Sequence, residues 1–265
     1  MKSTVVLGNG FLGKKFGKRG FDVLDRDQFY LTRGKNECMK ELEPYDVIIN
    51  AMGKSNTRWC EERENFNATM FSNAYIPKIL SNYCDAEGKK LVHVSTGCLY
   101  DRNDVPQKET DFTAAHCNYT VSKWVGEQQC NPDKDLILRP RLYFSDFEDP
   151  NNLLCKIPRF KRQLTEQNSL TSLDTIVDAT QSLLNADQSG IFNVACDGVA
   201  SPLEIGRWMG AYASPVTAEE LHKSEGLYLV NNIMDLSKLK QFFHPRKLKD
   251  AVMDATVSLY GYSEY

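Results

Sequence analysis

The stretch VVLGNGFLGKKFG, residues 5–17, joins a short apolar run to a glycine-rich turn and the start of a helical pattern. Residues 4–8 are an apolar run typical of a buried strand, and residues 11–19 follow a helical pattern. Between them Gly8, Gly10 and Gly13 have a G-x-G-x-x-G spacing. In a strand–turn–helix unit this spacing permits a tight turn, close approach of a pyrophosphate and close packing of helix on strand. The stretch therefore predicts a dinucleotide-binding loop, and the alternative is a plain glycine-rich turn.

Farther along the chain, apolar runs alternate with helical patterns. We predict strands at residues 21–25, 46–51, 90–95, 135–140 and 190–195. We predict helices at residues 11–19, 35–43, about 59–87, 117–129, 172–186 and 202–211. Nearly continuous Val, Ile and Leu is typical of strands that are buried on both faces of a parallel sheet. The alternation therefore predicts an α/β fold with a Rossmann-type doubly wound parallel sheet.

The alternation loosens after about residue 140. Two helix-like segments, residues 234–243 and 247–262, lie near the C-terminus. We expect an NAD(P)-binding Rossmann domain over residues 1–145. Residues 146–265 are then expected to form a small, mostly C-terminal substrate lobe, interleaved with the last strand and helices of the Rossmann core.

Composition narrows the class of function. A formal net charge of −3 gives no reason to expect nucleic acid or an anionic membrane as a partner. There is no 18-residue apolar run and no signal-peptide pattern, so we expect no membrane segment and a cytoplasmic location. The eight cysteines lack C-x-x-C spacing and are expected to be reduced thiols. The four histidines form no ligand-spaced group with them, so no metal site is expected.

The second predicted strand ends at Asp25, which is followed by Arg26. An acidic residue there would bind the ribose hydroxyls of NAD, whereas an arginine would favour the 2′-phosphate of NADP. We expect NADPH, with NADH as the alternative. The link from Gly13 to this strand is short, which leaves open whether Asp25 reaches the ribose.

Tyr119 and Lys123 are four residues apart in NYTVSKWVGE and therefore share one face of a predicted helix. A neighbouring ammonium lowers the pKa of a phenol, which can then exchange a proton with a carbonyl oxygen near neutral pH. Such a pair is by itself common in amphipathic helices. Here it follows a nucleotide loop and a strand that ends at Ser95 and Thr96, whose hydroxyls can bind the same oxygen. The combination indicates chemistry at a carbonyl group.

These motifs resemble those of the extended short-chain dehydrogenase/reductases, and most of all the nucleotide-sugar 3,5-epimerase/4-reductases of UDP-rhamnose synthesis. The dTDP-4-dehydrorhamnose reductases and GDP-fucose synthases are more distantly similar. The resemblance runs nearly end to end and includes NAMG (50–53), WCE (59–61), STGCLYD (95–101), YTVSK (119–123), LRPRLY (138–143), NNLLCKI (151–157) and NNIMDLSKLK (231–240). It implies an NAD(P)H-dependent enzyme that acts on a UDP- or dTDP-4-keto-6-deoxyhexose, with Thr96, Tyr119 and Lys123 as catalytic residues.

The resemblance also gives a role to Cys98. In the dual-function enzymes a cysteine at this place works with a lysine or histidine to exchange protons at C3 and C5 of the sugar, and Lys156 matches the lysine. Pure 4-reductases resembling the dTDP-rhamnose enzyme have a tyrosine at the position of Cys98. The alternatives are that Cys98 is a small buried thiol and that Lys156 belongs to a solvated basic face with Arg159, Lys161 and Arg162.

Binding residues are implied in the same way. Besides the three glycines, Asp25, Arg26, Tyr119 and Lys123, cofactor contacts are expected for Phe11, Leu12, Ala51 and Gly53. Substrate contacts are expected for Asn73, Arg141, Asn152 and Asn232. Relatives often have an arginine before the Asn231 pair, where this chain has Leu229 and Val230. We therefore expect Arg139 or Arg141 to bind the diphosphate; an inter-helix salt bridge is the alternative for each.

Three functions follow, of which the first is expected. It is a bifunctional 3,5-epimerase/4-reductase that forms a rhamnose-type sugar. The second is a 4-keto reductase in which Cys98 is idle. The third is a non-catalytic dinucleotide-binding regulatory subunit, which would have no reason to keep Thr96, Tyr119 and Lys123. A homodimer is expected, because many members of the superfamily pair through two helices.

Overall fold

The computed structural model describes residues 2–25, 39–100, 105–111, 113–226 and 230–261. The chain divides into two compact units that interleave along the sequence. The first unit comprises Met1–Leu99, Ala114–Arg139 and Leu183–Phe192. The second comprises Tyr100–Thr113, Pro140–Ser182 and Asn193–Tyr265.

Strands and helices alternate through the described residues. Up to the fifth strand they are β1 (Thr4–Leu7), α1 (Phe11–Lys18), β2 (Asp22–Leu24), β3 (Val47–Asn50), α2 (Thr57–Glu61), α3 (Phe66–Met70), α4 (Ile76–Ala86), β4 (Lys90–Val94), α5 (Asn118–Gln128) and β5 (Leu136–Pro140). They are followed by β6 (Tyr143–Phe144), α6 (Leu153–Lys156), β7 (Arg162–Leu164), β8 (Thr171–Ser172), α7 (Leu173–Asn185), β9 (Gly190–Val194), α8 (Pro202–Trp208), β10 (Ser214–Val216), α9 (Ala218–Glu225) and α10 (Leu248–Tyr260). The six predicted strands are confirmed as β1 to β5 and β9.

The central sheet has six strands in the order β2-β1-β3-β4-β5-β9, and β1 to β5 pair in parallel. The predicted α/β fold with a parallel sheet is therefore confirmed. Strands β3 and β5 are buried along their whole lengths, as expected where both faces of a sheet are covered. The strand order reverses between β1 and β3, and doubly wound sheets bind ligands at the carboxyl ends of strands at such a point. The loops that follow β1 and β3 are thus the first places to look for a site.

One core cluster of the first unit lies on one face of this sheet. Val5, Ile48 and Leu91 come from three neighbouring strands and pack with Ile137 of β5, while Leu80 comes from α4. Each fully buried side chain of this size contributes about 1.5–3 kcal/mol to folding. This packing holds the strands firmly, so that the loops at their carboxyl ends start from fixed positions.

The predicted helical region of residues 59–87 is divided into several pieces. After α2 the backbone of Glu62 becomes extended, and a 3₁₀ turn leads into α3. Between α3 and α4 the chain forms a π-helical segment, Phe71–Tyr75. Gly126 of α5 packs against this segment so closely that a Cβ there would lie 1.9 Å from the carbonyl oxygen of Asn73. The interruption therefore lies where α5 approaches most closely, and π-helical turns often occur at functional sites.

The second unit contains two small parallel pairs, β6 with β8 and β7 with β10. Its core joins Phe144, Leu154 and Leu170 to Ile205 of α8 and Val252 of α10. The predicted C-terminal helix is confirmed as α10, which begins at Leu248 and ends at Tyr260.

The prediction of a helix over residues 234–243 is wrong. Only Leu239–Gln241 form a 3₁₀ turn there, and Met234 instead forms a parallel bridge with Gln107. The side chain of Asp235 accepts a hydrogen bond from the backbone N–H of Ser237 at 2.7 Å. Aspartate side chains that bind the backbone two residues later compete with helix formation. Pairing with residue 107 and this local turn therefore replace the helix.

Some expectations fall outside the described residues: Arg26, Leu229 and residues 35–38 of the expected helix at 35–43. Within the described ranges, no helix is long and apolar enough to cross a membrane. In the same ranges no group of three or more His, Cys, Asp or Glu side chains could hold a metal ion.

Candidate active site

The glycine loop between β1 and α1 has the geometry of a phosphate cradle. Gly8 has a φ of +103°, and its N–H donates to the carbonyl oxygen of Leu24 at 2.8 Å. A Cβ on Gly13 would lie 1.7 Å from the Gly8 carbonyl oxygen, so helix and loop touch at this point. A Cβ on Gly10 would meet nothing within 4 Å. The loop is therefore open at Gly10, next to the first turn of a helix, where backbone N–H groups favour an anion.

The loop after β3 is held next to α5 by one buried amide. Asn73 accepts a hydrogen bond from the Lys54 N–H at 2.7 Å and donates to the Lys54 carbonyl at 2.9 Å. Its amide also donates to Ser122 Oγ of α5 at 2.9 Å. A Cβ added to Gly53 would lie 3.0 Å from Asn73 Oδ1 and 3.9 Å from Lys123 Nζ. The backbone at Gly53 thus passes directly beside the predicted catalytic lysine, and Ala51 precedes it in the same loop.

Lys123 is anchored at the end of β4. Its Nζ donates a hydrogen bond to the Val94 carbonyl oxygen at 2.7 Å, and the residue is 5% exposed. Burial lowers the pKa of Lys123 to about 8, although Cys130 and Glu127 act in the opposite direction. Burial raises the pKa of the Cys130 thiol, so this thiol is uncharged near neutral pH. Glu127 is therefore the anion that favours the charged form of Lys123.

Tyr119 is half-buried and lies one turn before Lys123 on α5. Its carbonyl oxygen accepts a hydrogen bond from Ser122 Oγ at 2.7 Å, and Ser122 in turn contacts Asn73. The start of α5 is capped by Thr120, whose Oγ1 accepts hydrogen bonds from the N–H groups of His116 and Cys117. The helix that carries Tyr119 is thus fixed at its beginning and along one side.

Thr96 and Cys98 lie together just beyond β4. Thr96 is buried and Cys98 is half-buried, in a 3₁₀ turn at Gly97–Leu99. The N–H of Cys98 donates to Thr96 Oγ1 at 3.1 Å. The first unit therefore brings the predicted Thr96, Cys98, Tyr119 and Lys123 to the end of β4 and the adjoining face of α5.

Next to this group lies a buried ionic cluster of Ser95, Glu127 and Arg139, which the sequence motifs did not single out. Glu127 of α5 pairs with Arg139 of β5 through two hydrogen bonds, one of them from Arg139 Nε at 3.0 Å. Ser95 Oγ donates to the same carboxylate at 2.8 Å. The alternative expected for Arg139 was an inter-helix salt bridge; Arg139 does form a salt bridge, but it joins helix α5 to strand β5. The signal available in the sequence was an acid four residues after Lys123, which lies on the same helix face.

His93 of β4 is completely buried beside these groups. Its Nδ1 lies 3.3 Å from Asn50 Nδ2, and Nε2 has no hydrogen-bond partner among the described residues. Burial, together with the charge of Lys123, holds the pKa of His93 well below its usual value. The imidazole is therefore neutral, and Asn50 favours the tautomer with the proton on Nε2.

Of the predicted proton-exchange pair, Lys156 belongs to the second unit. It is half-buried at the end of α6. Asn152 caps the same helix through Oδ1 and donates from Nδ2 to the carbonyl oxygens of Ser145 and Phe147 at 2.9 and 2.8 Å. Asn152 thus fixes the turn before Lys156, a scaffold role that the sequence did not suggest.

Arg141 and Asn232 lie in a polar network of the second unit. Arg141 Nη2 donates to Asn168 Oδ1 at 2.6 Å and also to the Val230 carbonyl. The Asn232 N–H donates to the same Asn168 oxygen at 3.2 Å, and its amide donates to the Tyr100 carbonyl at 3.1 Å. Arg141 and Asn232 are both buried. Their contacts to a substrate stay predictions, as do those of Asn73 and Asn152.

The sequence matches the RmlD substrate binding domain family over residues 12–211. The chain belongs to this family. Among curated proteins, it is 29% identical over 272 residues to a trifunctional UDP-glucose 4,6-dehydratase/UDP-4-keto-6-deoxy-D-glucose 3,5-epimerase/UDP-4-keto-L-rhamnose-reductase of Arabidopsis thaliana. That match covers 92% of this chain, which spans 40% of the length of the relative. A bifunctional dTDP-4-dehydrorhamnose 3,5-epimerase/dTDP-4-dehydrorhamnose reductase of the same plant is 28% identical, over 74% of this chain and 71% of that protein.

Solved structures share the fold. The UDP-rhamnose synthase of Acanthamoeba polyphaga mimivirus superposes with a TM-score of 0.83 at 17% identity, over 97% of this chain and 100% of that one. The dTDP-4-dehydrorhamnose reductase of Bacillus anthracis str. Ames in complex with NADP gives a TM-score of 0.80 at 16% identity, over 97% and 99%. At these identities the likeness establishes the Rossmann-type fold, in agreement with the sequence prediction.

Proposed function

We propose that this chain is an NADPH-dependent reductase of a nucleotide-diphosphate 4-keto-6-deoxyhexose and forms a rhamnose-type sugar. The observation that carries the proposal is the hydrogen bond from Lys123 to the carbonyl oxygen of Val94. Lys123 lies one helical turn after Tyr119 on α5, and Val94 lies two residues before Thr96. The names of the plant relatives, which include reductases of UDP-4-keto-L-rhamnose and dTDP-4-dehydrorhamnose, support this reaction.

The glycine loop suits a dinucleotide. A Cβ at Gly8 or Gly13 would collide with neighbouring atoms, whereas the space beside Gly10 is open to a phosphate. Phe11 and Leu12 supply the first N–H groups of α1, and Ala51 and Gly53 line the neighbouring loop. Bound NADPH would supply the hydride for C4 of the sugar. Asp25 directly follows β2, where the ribose of the cofactor is expected. We assign Asp25 and Arg26 to bind this ribose.

The chain's own residues then handle the C4 oxygen. Thr96 Oγ1 and the Tyr119 hydroxyl are assigned to bind it, and Tyr119 donates the proton that completes reduction to the alcohol. The positive charge of Lys123 favours the tyrosinate left behind, which recovers a proton from solvent. Lys123 also lies beside Gly53, where the nicotinamide ribose is expected.

A second step is proposed before reduction. Cys98 and Lys156 exchange protons at C5 and C3: one removes a proton from one face of the ring, and the other delivers a different proton, taken up from solvent, to the opposite face. The C4 carbonyl makes both hydrogens acidic, and Thr96 and Tyr119 hold the enolate oxygen meanwhile. The closeness of Cys98 to Thr96 supports this role, because the N–H of Cys98 binds the Thr96 hydroxyl.

We assign substrate positioning to Asn73, Arg141, Asn152 and Asn232, through the loops that they hold. Residues 1–145 are proposed to bind the cofactor and residues 146–265 to form the substrate lobe. The substrate is a UDP- or dTDP-sugar, and the protein is proposed to act as a homodimer.

The test is turnover in D₂O with UDP-4-keto-6-deoxyglucose and NADPH, following NADPH absorbance and the mass and stereochemistry of the product. Wild type is expected to form a rhamnosyl product with deuterium at C3 and C5. Tyr119→Phe should lose reduction by about 10²–10⁴-fold. NADPH oxidation without deuterium at C3 and C5 would leave a plain 4-reductase. Binding of NADPH without turnover of a UDP- or dTDP-keto-sugar would favour the regulatory subunit.

A further inference from the structure

The Ser95 hydroxyl and the Arg139 guanidinium were both candidates for binding substrate, but in the structure each binds Glu127, and we assign none of these three residues to substrate or cofactor. Glu127 and Arg139 are both buried, and Ser95 and Arg139 satisfy the two carboxylate oxygens. A buried ion pair adds little net stability, since apolar residues of similar volume often replace it without loss. Its presence here therefore calls for a reason other than stability.

The cluster connects three elements at the place where the site is built. Ser95 immediately follows β4, and its N–H donates to the Leu138 carbonyl of β5 at 2.7 Å. Its hydroxyl reaches Glu127 on α5, one turn beyond Lys123. Lys123 itself returns to the Val94 carbonyl. Two adjacent residues of the β4 end are thus tied to α5 at two points one helical turn apart.

We propose that Glu127 is a positioning residue for the reaction: through Ser95 and Arg139 it locks α5 to the end of β4 and holds Lys123 and Thr96 in register. Two hydrogen bonds one turn apart prevent both sliding and rotation of the helix on the strand end. Thr96 follows Ser95 directly, so its hydroxyl takes its position from the same tie. The inference rests on the proposed function, because it concerns the register of those catalytic groups.

Glu127 also sets the charge around Lys123. The groups that face this ammonium are Glu127 from α5, Cys130 just beyond the end of that helix, His93 from β4 and, through Glu127, Arg139 from β5. His93 and Cys130 are neutral near pH 8, so Glu127 is the only anion in this group. Replacing it by a neutral side chain lowers the pKa of Lys123, and the charged form is then lost at a lower pH.

The test compares wild type with the double variant Glu127→Gln/Arg139→Met, which removes both charges and leaves no unpaired buried ion. We expect the double variant to fold and to bind NADPH, while kcat/KM for the keto-sugar falls roughly 10- to 100-fold, as for a displaced catalytic group. The basic limb of its pH–rate profile should move to lower pH, because Glu127 acts on the pKa of Lys123 directly whereas the Arg139 charge acts only across Glu127. Glu87→Gln, which removes one charge from an exposed position, is the matched control. It should leave kcat/KM and the pH–rate profile unchanged.

A folded double variant with the kcat/KM of wild type, or with an unmoved basic limb, would overturn the inference. If the double variant does not fold, Ser95→Ala decides, because it deletes one hydroxyl and keeps the ion pair. A fall in kcat/KM for Ser95→Ala supports the positioning role of the Ser95–Glu127 hydrogen bond. A Ser95→Ala variant with the kcat/KM of wild type refutes it. Wild type that reduces no keto-sugar overturns the proposed function and this inference together, whereas active wild type with unaffected variants overturns this inference alone.

Discussion

Lys123 Nζ donates a hydrogen bond of 2.7 Å to the carbonyl oxygen of Val94. A backbone carbonyl attracts the ammonium but carries no net charge, so it does not fully compensate for the loss of water around Lys123. The pKa of Lys123 is accordingly lowered to about 8. A lysine with such a pKa titrates within the range in which an enzyme is assayed.

The first prediction concerns pH. Below about pH 8 Lys123 is charged and favours the tyrosinate form of Tyr119; above it this support is lost. The rate of keto-sugar reduction should therefore fall as the pH rises through about 8. The measurement is kcat/KM for NADPH oxidation across neutral and basic pH. A rate that stays level well above this pH would show that the charge of Lys123 is not required.

The second prediction compares two glycines of the same loop. Gly13→Ala would place a Cβ 1.7 Å from a backbone oxygen that cannot move aside, whereas Gly10→Ala meets nothing within 4 Å. Gly13→Ala should lower the free energy of unfolding by about 3 kcal/mol and weaken NADPH binding. Gly10→Ala should cost only about 0.5–1 kcal/mol, the scale for an unfavourable N-cap residue, although its methyl group would also weaken NADPH binding by entering the space assigned to the phosphate. Denaturant unfolding and cofactor titration check both variants, and equal losses of stability would contradict the close contact at Gly13.

The third prediction concerns Asn73. Asn73→Ala leaves the Lys54 N–H and carbonyl and the Ser122 hydroxyl without their present partner. We expect a loss of about 2–3 kcal/mol in the free energy of unfolding, together with weaker NADPH binding. Asn56→Ala is the matched control, because Asn56 caps α2 in the same loop with a single exposed hydrogen bond. It should cost about 1 kcal/mol and spare NADPH binding.

The fourth prediction concerns acid stability. Because the pKa of His93 is lower in the folded state, unfolding takes up a proton once the pH falls below the ordinary histidine pKa of about 6.5. Above that pH His93 is neutral in both states and contributes no pH dependence. Stability should therefore decline from about pH 6.5 downward. His93→Gln should reduce this slope, as measured by thermal unfolding at several acidic pH values, whereas an unchanged slope would assign the effect to other groups.

The fifth prediction separates the two proposed steps. Cys98→Ser should lose deuterium incorporation at C3 and C5 but still reduce a substrate that has already been epimerised. Lys156→Met should behave in the same way. Cys155→Ser, a buried neighbour of Lys156, is the matched control and should keep both activities. Retained deuterium incorporation in Cys98→Ser and Lys156→Met would show that other groups carry out the epimerisation.

The sequence alone determined the sheet and the group at the end of β4. Apolar runs, glycine spacing and a four-residue helical interval are local patterns, and local geometry turns them into strands, a loop and a helix face. For this reason β1 to β5 and β9 were predicted correctly, and Thr96, Tyr119 and Lys123 were singled out together, while the family resemblance added Cys98.

Tertiary structure decided what depends on residues far apart in the chain. The helical region 59–87 is interrupted where α5 packs on Asn73, and pairing with Gln107 replaces the helix expected at 234–243. Asn73 and Asn152 form hydrogen bonds that hold loops, and Arg139 pairs with Glu127. Buried polar groups must find hydrogen-bond partners, and those partners are set by packing rather than by spacing along the chain.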